Sequence, residues 1–242
     1  MRVLVAEDNA VNRELAQHLL VQLGHEVVLA HNGREVLARL DEQPCDLILM
    51  DLWMPELDGL TTCREIRERE RGTGGRILII ALTAHAIKGD RDACLTAGMD
   101  EYLTKPVRRQ ALAEAIQRVS PAAVPAPANS TNPRRPLLGP WEGVDAEILH
   151  KLGPMMVDST DSSLRELRAA FAARDWTRLE REAHTLKGSL GLFHAPQVVA
   201  TTRHLEAAAR RRDTLTIPTL LEALAGELAT VQTEVRERCA TA

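Results

Sequence analysis

The sequence predicts two domains of different class: a doubly wound, five-stranded parallel α/β domain, followed by an all-α helical bundle. Three observations predict it. Continuous apolar runs at Val3–Ala6, Val27–Ala30, Leu47–Met50 and Ile77–Leu82 alternate with stretches of helical period, as expected of strands buried on both faces. Half of the chain's 12 prolines then fall between residues 120 and 140, where fixed φ and missing donors oppose packed structure. Beyond that segment no strand run occurs. The expected boundaries are 1–119, 120–143 and 144–242.

Each element has its own signal. Val11, Leu15, Leu19 and Leu23 recur every four residues and Gly24 follows as a stop; similar patterns cover 34–41, 60–70, 86–97 and 108–119. A short fifth strand is expected near residues 101–103. Five βα units within about 119 residues imply helices on both faces of the sheet. In the second half, helices are expected at 145–151, 155–173, 176–192, 196–211 and 218–238, broken at Gly153-Pro154, Asp175, Ala195-Pro196 and Ile217-Pro218. Short connections make neighbouring helices antiparallel. The proline-rich tether should span roughly 25 Å as a coil and about 65 Å if fully polyproline-like.

Composition excludes several functions. Net charge is -4 over 242 residues, and neither half is basic enough to bind nucleic acid. The six aromatics, Trp53, Tyr102, Trp141, Phe171, Trp176 and Phe193, offer few stacking platforms. Cys45, Cys63, Cys94 and Cys239 form no C-x-x-C pair, which fits a reduced, cytoplasmic setting. No run approaches the ~20 apolar residues of a membrane span. Gly72-Thr73-Gly74-Gly75 lacks the lysine of a phosphate-cradling loop, so no ATP-dependent kinase domain is expected in this chain.

Ligands of open parallel sheets gather at the carboxyl ends of the strands. The first strand ends in Glu7-Asp8, the third in Asp51, the fourth in Thr83 and the fifth in Lys105. Three converging carboxylates about 5 Å apart would repel by roughly 3 kcal/mol per pair. A hard divalent cation with oxygen ligands, together with Lys105, is the natural compensation. Such a cluster suits phosphoryl transfer, with Asp51 attacking phosphorus and cations neutralising the equatorial oxygens.

The segments V-L-V-A-E-D-N, L-I-L-M-D-L-W-M-P-E-L-D-G, A-L-T-A-H-A-I-K-G-D-R and Y-L-T-K-P resemble the receiver domain of two-component signalling, especially receivers attached to hybrid sensor kinases. The resemblance covers residues 1–119. It implies Asp51 as phosphoacceptor, Glu7, Asp8, Asp51 and the Trp53 carbonyl around Mg²⁺, and Thr83 and Lys105 on the phosphoryl group. It further implies a cis bond before Pro106 and a switch in which Thr83 shifts and Tyr102 turns inward. Bulky Trp53 is expected to screen the phosphoryl group from water. His85, on the same rim, reads as a surface histidine.

In the second half, Leu179, Ala183, Leu186 and Leu190 define a buried helical face, with Glu180, His184, Lys187 and Gly191 on the adjoining stripe. His184 is thus expected at the edge of the core with its ring reaching solvent, close to Lys187. Gly188 and Gly191 each cost the helix about 1 kcal/mol, which suggests an approaching protein surface. The run A-H-T-L-K-G-S, Ala183 to Ser189, resembles the histidine-phosphotransfer (Hpt) family. That resemblance makes His184 the phosphorylated histidine and Lys187 its phosphoryl-stabilising partner. Two features depart from the family: His194 stands where Gly is usual, and the stretch from Gly153 to His184 looks about three turns short, predicting truncated first helices.

Together the two resemblances imply a phosphorelay protein, either separate or the C-terminal part of a hybrid kinase, that takes a phosphoryl group from a sensor histidine kinase, in cis or trans, and passes it to a response regulator. Its expected partners include neither nucleic acid nor lipid bilayer. Alternatives are a receiver acting only as a regulatory switch while His184 serves a separate circuit, and a non-phosphorylated interaction module.

Overall fold

The computed structural model describes residues 1–72, 74–83, 88–120, 146–190 and 195–241. The chain divides into two compact units, one α/β and one helical. The first runs β1 (Arg2–Ala6), α1 (Ala10–Gln22), β2 (Glu26–Ala30), α2 (Gly33–Glu42), β3 (Leu47–Asp51), α3 (Gly59–Glu70), β4 (Leu78–Thr83), α4 (Lys88–Ala97), β5 (Glu101–Thr104) and α5 (Arg109–Val119). Its strands pair in parallel in the order β2-β1-β3-β4-β5. Val3 pairs with both Val27 and Leu47, Asp51 with Leu82, and Thr83 with Thr104.

Alternation sorts the strand residues between two faces. Leu4, Ala6, Ile48, Met50, Ile79 and Ala81 pack with Val36, Leu37, Cys63, Ile66, Cys94 and Ala97 from α2, α3 and α4. Val3, Val5, Leu47, Leu49, Ile80 and Leu82 are equally buried. Because β1 leads outward to β2 while later crossovers run the other way, right-handed connections put α1 on the face opposite α2, α3 and α4. The order also leaves β1 and β3 side by side, so the residues ending them meet at the switch point of the sheet.

Gly59, the first residue of α3, sits against the end of β3. Its N–H donates to the Leu52 carbonyl at 3.1 Å. A Cβ there would lie 2.1 Å from the Asp51 carbonyl oxygen, so the turn after Asp51 closes only because no side chain intervenes. Asp58 caps the helix, accepting from Thr61 N at 2.8 Å.

The second unit contains α6 (Ala146–Ala172), α7 (Trp176–Leu190), α8 (Pro196–Arg211) and α9 (Thr216–Thr241). The break expected at Gly153-Pro154 is not there: α6 is continuous over 27 residues with Pro154 inside it. Ile148, Leu152, Met156 and Val157 form one buried stripe across the proline. Each such side chain contributes about 1.5–3 kcal/mol, which together outweighs the ~3 kcal/mol cost of an internal proline. Gly153 has a packing role, since a Cβ would meet Cys239 Sγ of α9 at 2.4 Å. The last helix begins two residues before the expected 218, because Asp213 accepts from Thr216 N at 3.0 Å and caps it. Leu167, Leu179, Leu186, Val198, Leu205, Leu221 and Leu224 centre the core. The proline-rich tether, from residue 121, and Phe193 and His194 lie outside the described residues.

Replacing Gly59 by Ala is expected to destabilise the α/β unit by about 1–3 kcal/mol through overpacking against β3. Chemical denaturation checks this, and an unchanged midpoint for that unit would refute the steric reading.

Candidate functional site

The α/β unit gathers the strand-end residues into one pocket. One carboxylate oxygen from each of Glu7, Asp8 and Asp51 lies within 4.8 Å of the others. Glu7 and Asp51 are buried and Asp8 half-buried. Lys105 reaches between them, its Nζ 2.6 Å from Glu7 Oε2 and 2.7 Å from Asp51 Oδ2. The second Asp51 oxygen accepts from Trp53 N at 3.3 Å. Thr83 is buried at the end of β4, and its carbonyl accepts from Lys105 N at 2.8 Å. The Lys105–Pro106 peptide is cis. Trp53 is 42% exposed. Tyr102 is half-buried against the α2–α4 core. His85 lies outside the described residues.

The electrostatics of this pocket are unbalanced. Burial, and then the neighbouring Glu7 charge, push the Asp51 carboxyl well above its usual range, with Lys105 only partly offsetting them. Burial opposes the Lys105 ammonium, but the Asp51 and Glu7 carboxylates outweigh it and raise its pKa. Three carboxylates against one ammonium leave two formal negative charges, and hard oxygen donors around such an excess suit a divalent cation such as Mg²⁺. The donor set therefore fits the ion that the sequence implies.

The helical unit holds a second polar cluster. His184 sits on α7 with its side chain 14% exposed, at the edge of the face formed by Leu179, Ala183, Leu186 and Leu190. Its Nδ1 is 2.7 Å from Glu206 Oε1 and 3.4 Å from Lys187 Nζ. A carboxylate only accepts, so Nδ1 is the donor in the shorter contact. Lys187 is not an open surface cation. It is buried, with Nζ 2.8 Å from each Glu206 oxygen. Gly188, expected at an open approach surface, is buried in α7, where a glycine has only backbone to present; Gly191 lies outside the described residues.

Glu206 is the residue that the sequence reading does not single out. The signal was available: it follows Leu205 on α8, between Thr202 and Ala209 on the buried side, where an unpaired carboxylate is costly. Burial raises its pKa, but the bonds from His184 and Lys187 outweigh this and hold it below the usual carboxylate range.

Each of the two units matches a known family. Residues 3–117 match the response regulator receiver domain and residues 154–234 the Hpt domain. The chain thus carries a receiver domain followed by an Hpt domain. The sensor histidine kinase GacS of Pseudomonas protegens is 32% identical over 229 residues, covering 88% of this chain and 24% of the relative. The virulence sensor protein BvgS of Bordetella pertussis is 28% identical over 254 residues, covering 98% and 20% respectively. This chain thus spans about a quarter or less of those relatives. Among solved structures, the receiver domain of sensor histidine kinase PA1611 from Pseudomonas aeruginosa, with magnesium in its active-site cleft, is 44% identical, with a TM-score of 0.44, covering 48% of this chain and 94% of that one. A receiver followed by an Hpt domain, with hybrid-kinase relatives, belongs to phosphorelay signal transduction. No described helix is long and apolar enough to cross a membrane.

Because the folded Glu206 pKa is depressed, its stabilisation is complete above the unfolded carboxylate pKa and is lost as pH falls through the folded value. Glu206→Ala strands a buried Lys187 and is expected to cost the Hpt domain about 3 kcal/mol near neutral pH. The difference from wild type should shrink below about pH 4. Denaturation curves across pH check it; a pH-independent difference would contradict the linkage.

Proposed function

We propose that Asp51 accepts a phosphoryl group from a kinase phosphohistidine and that His184 relays phosphoryl to or from receiver aspartates. The observation that carries this reading is the buried pocket in which Lys105 bridges Glu7 and Asp51 at 2.6 and 2.7 Å. In that pocket an Asp51 oxygen attacks phosphorus, the bond from phosphorus to the donor imidazole breaks, and Lys105 and Thr83 face the charge on the transferred oxygens. Glu7, Asp8, Asp51 and the Trp53 carbonyl would hold magnesium, which would supply further positive charge for those oxygens. Half-buried Tyr102 and buried Thr83 form the switch that registers the phosphorylated state.

At the Hpt domain, His184 Nε2 attacks phosphorus and the bond to a receiver carboxylate breaks. The proton on Nδ1 stays in place against Glu206, which balances the positive charge on the phosphorylated ring. Lys187 holds Glu206 in position through both oxygens and lies on the phosphoryl-bearing side of the helix. Residues 120–143 act as the tether between the domains, and an intramolecular step gains a millimolar-scale effective concentration where the tether allows contact. The donor is a sensor histidine kinase, in cis or in trans, and the recipient is a separate response regulator, all cytoplasmic.

Incubation with a phosphorylated kinase and Mg²⁺ tests the assignment through the stability of the label. Asp51→Asn should lose base-labile, acyl-phosphate label, and His184→Gln should lose acid-labile, phosphoramidate label. Label unchanged in amount and stability in both variants would overturn the site assignments, whereas Asp51 label that never reaches His184 would separate the two circuits. Trp53→Ala should shorten the life of phosphorylated Asp51 several-fold by admitting water; an unchanged decay rate would remove the screening role.

A further inference from the structure

The turn between β1 and α1 carries two of the three pocket carboxylates, and it is restrained by two α1 side chains to which no role has been given. Arg13 Nη1 donates to the backbone carbonyl of Glu7 at 2.8 Å and to that of Asp8 at 3.1 Å. Asn12 Nδ2 donates to Glu7 Oε1 at 3.1 Å. The Glu7 N–H donates to the Ala30 carbonyl at 3.1 Å, extending the β1–β2 ladder by one bond. With Lys105 on the other carboxylate oxygen, Glu7 is held at its amide, its carbonyl and both side-chain oxygens.

We propose that Arg13, assisted by Asn12, is a positioning residue that keeps the Glu7 and Asp8 carboxylates converged on Asp51 for Mg²⁺; this rests on the magnesium-dependent receiver reading above. At separations within 4.8 Å, each ionised pair repels by roughly 3 kcal/mol, and a turn whose two carbonyls faced only water could relieve the repulsion by rotating its peptide planes. Arg13 blocks that rotation at both peptides that flank the Asp8 Cα and its side chain. Its bonds to Glu7 and Asp8 go to main-chain oxygens and not to the carboxylates. Groups that orient metal ligands in this way are worth roughly 10- to 100-fold in metal affinity.

The sign of the effect separates positioning from charge. Arg13 is a cation beside a cation site, so by Coulomb attraction and repulsion alone its removal would tighten Mg²⁺ binding. Positioning requires the opposite. Calorimetric titration of the full chain with MgCl₂ should show binding by wild type and about tenfold weaker binding by Arg13→Met, with Asn12→Ala weakened in the same direction. Unchanged or tighter binding by Arg13→Met, with or without a fall in thermal stability, would overturn the proposal. If Arg13→Met fails to fold, the Asn12→Ala titration decides by the same criterion. Wild type that binds no Mg²⁺ would instead defeat the underlying receiver reading, so the two failures are distinguishable.

Discussion

The ammonium of Lys105, wedged between Glu7 and Asp51 at 2.6 and 2.7 Å, is the interaction on which the receiver end of this chain depends. Strand order makes it necessary. Placing β1 beside β3 brings the residues that end both strands to one point, and both end in acids. A single lysine from the loop after β5 can bridge two of the three carboxylates but cannot neutralise all three. The pocket is therefore held with an excess of negative charge, and the burial of Asp51 and Lys105 prevents water from dispersing it. Gly59 contributes to the same end by letting α3 begin against the Asp51 carbonyl, so that Asp51 sits at the base of a closed turn.

The Hpt cluster answers a different electrical requirement with similar parts. Glu206 is one carboxylate shared by an ammonium and an imidazole, with contacts of 2.8 and 2.7 Å. Glu206 and Lys187 are formally neutral together, and the carboxylate faces His184 Nδ1 directly. A phosphorylated ring gains positive character, and the carboxylate needed to balance it is already in contact. The cost of burying Glu206 and Lys187 is offset only while both are present, which makes the cluster a structural joint between α7 and α8 as well as a chemical site.

Much of this was legible in the sequence because it follows from periodicity and strand-end chemistry. The apolar runs predict the strands, and the acids, threonine and lysine after them fall together because a parallel sheet aligns its carboxyl edges. What the sequence did not yield has physical causes too. Pro154 reads as a helix break because local propensity is visible and the continuing stripe of Ile148, Leu152 and Met156 across it carries more energy than the proline costs. Glu206 escapes notice because a glutamate in a helix is ordinarily solvated; its partners stand 19 and 22 residues earlier on another helix. Arg13 and Asn12 are silent for a related reason: their bonds go largely to backbone, and backbone acceptors carry no sequence signature.

Under the proposed relay, the two sites differ in how they would tolerate the phosphoryl group. A phosphoryl group brings about two negative charges. At Asp51 it enters a pocket that already carries three carboxylates against one ammonium, so its residence requires added positive charge at each visit. At His184 it meets a balanced Glu206–Lys187 pair and a ring that becomes more positive on modification. In that reading, occupancy of the aspartate would be coupled to divalent cation in a way that occupancy of the histidine would not, since only one of the sites lacks the charge to hold the group unaided. Under the same proposal neither transfer would need nucleotide hydrolysis, so the position of the equilibrium between them would be set by this difference in charge compensation, and the same geometry could serve transfer in either direction.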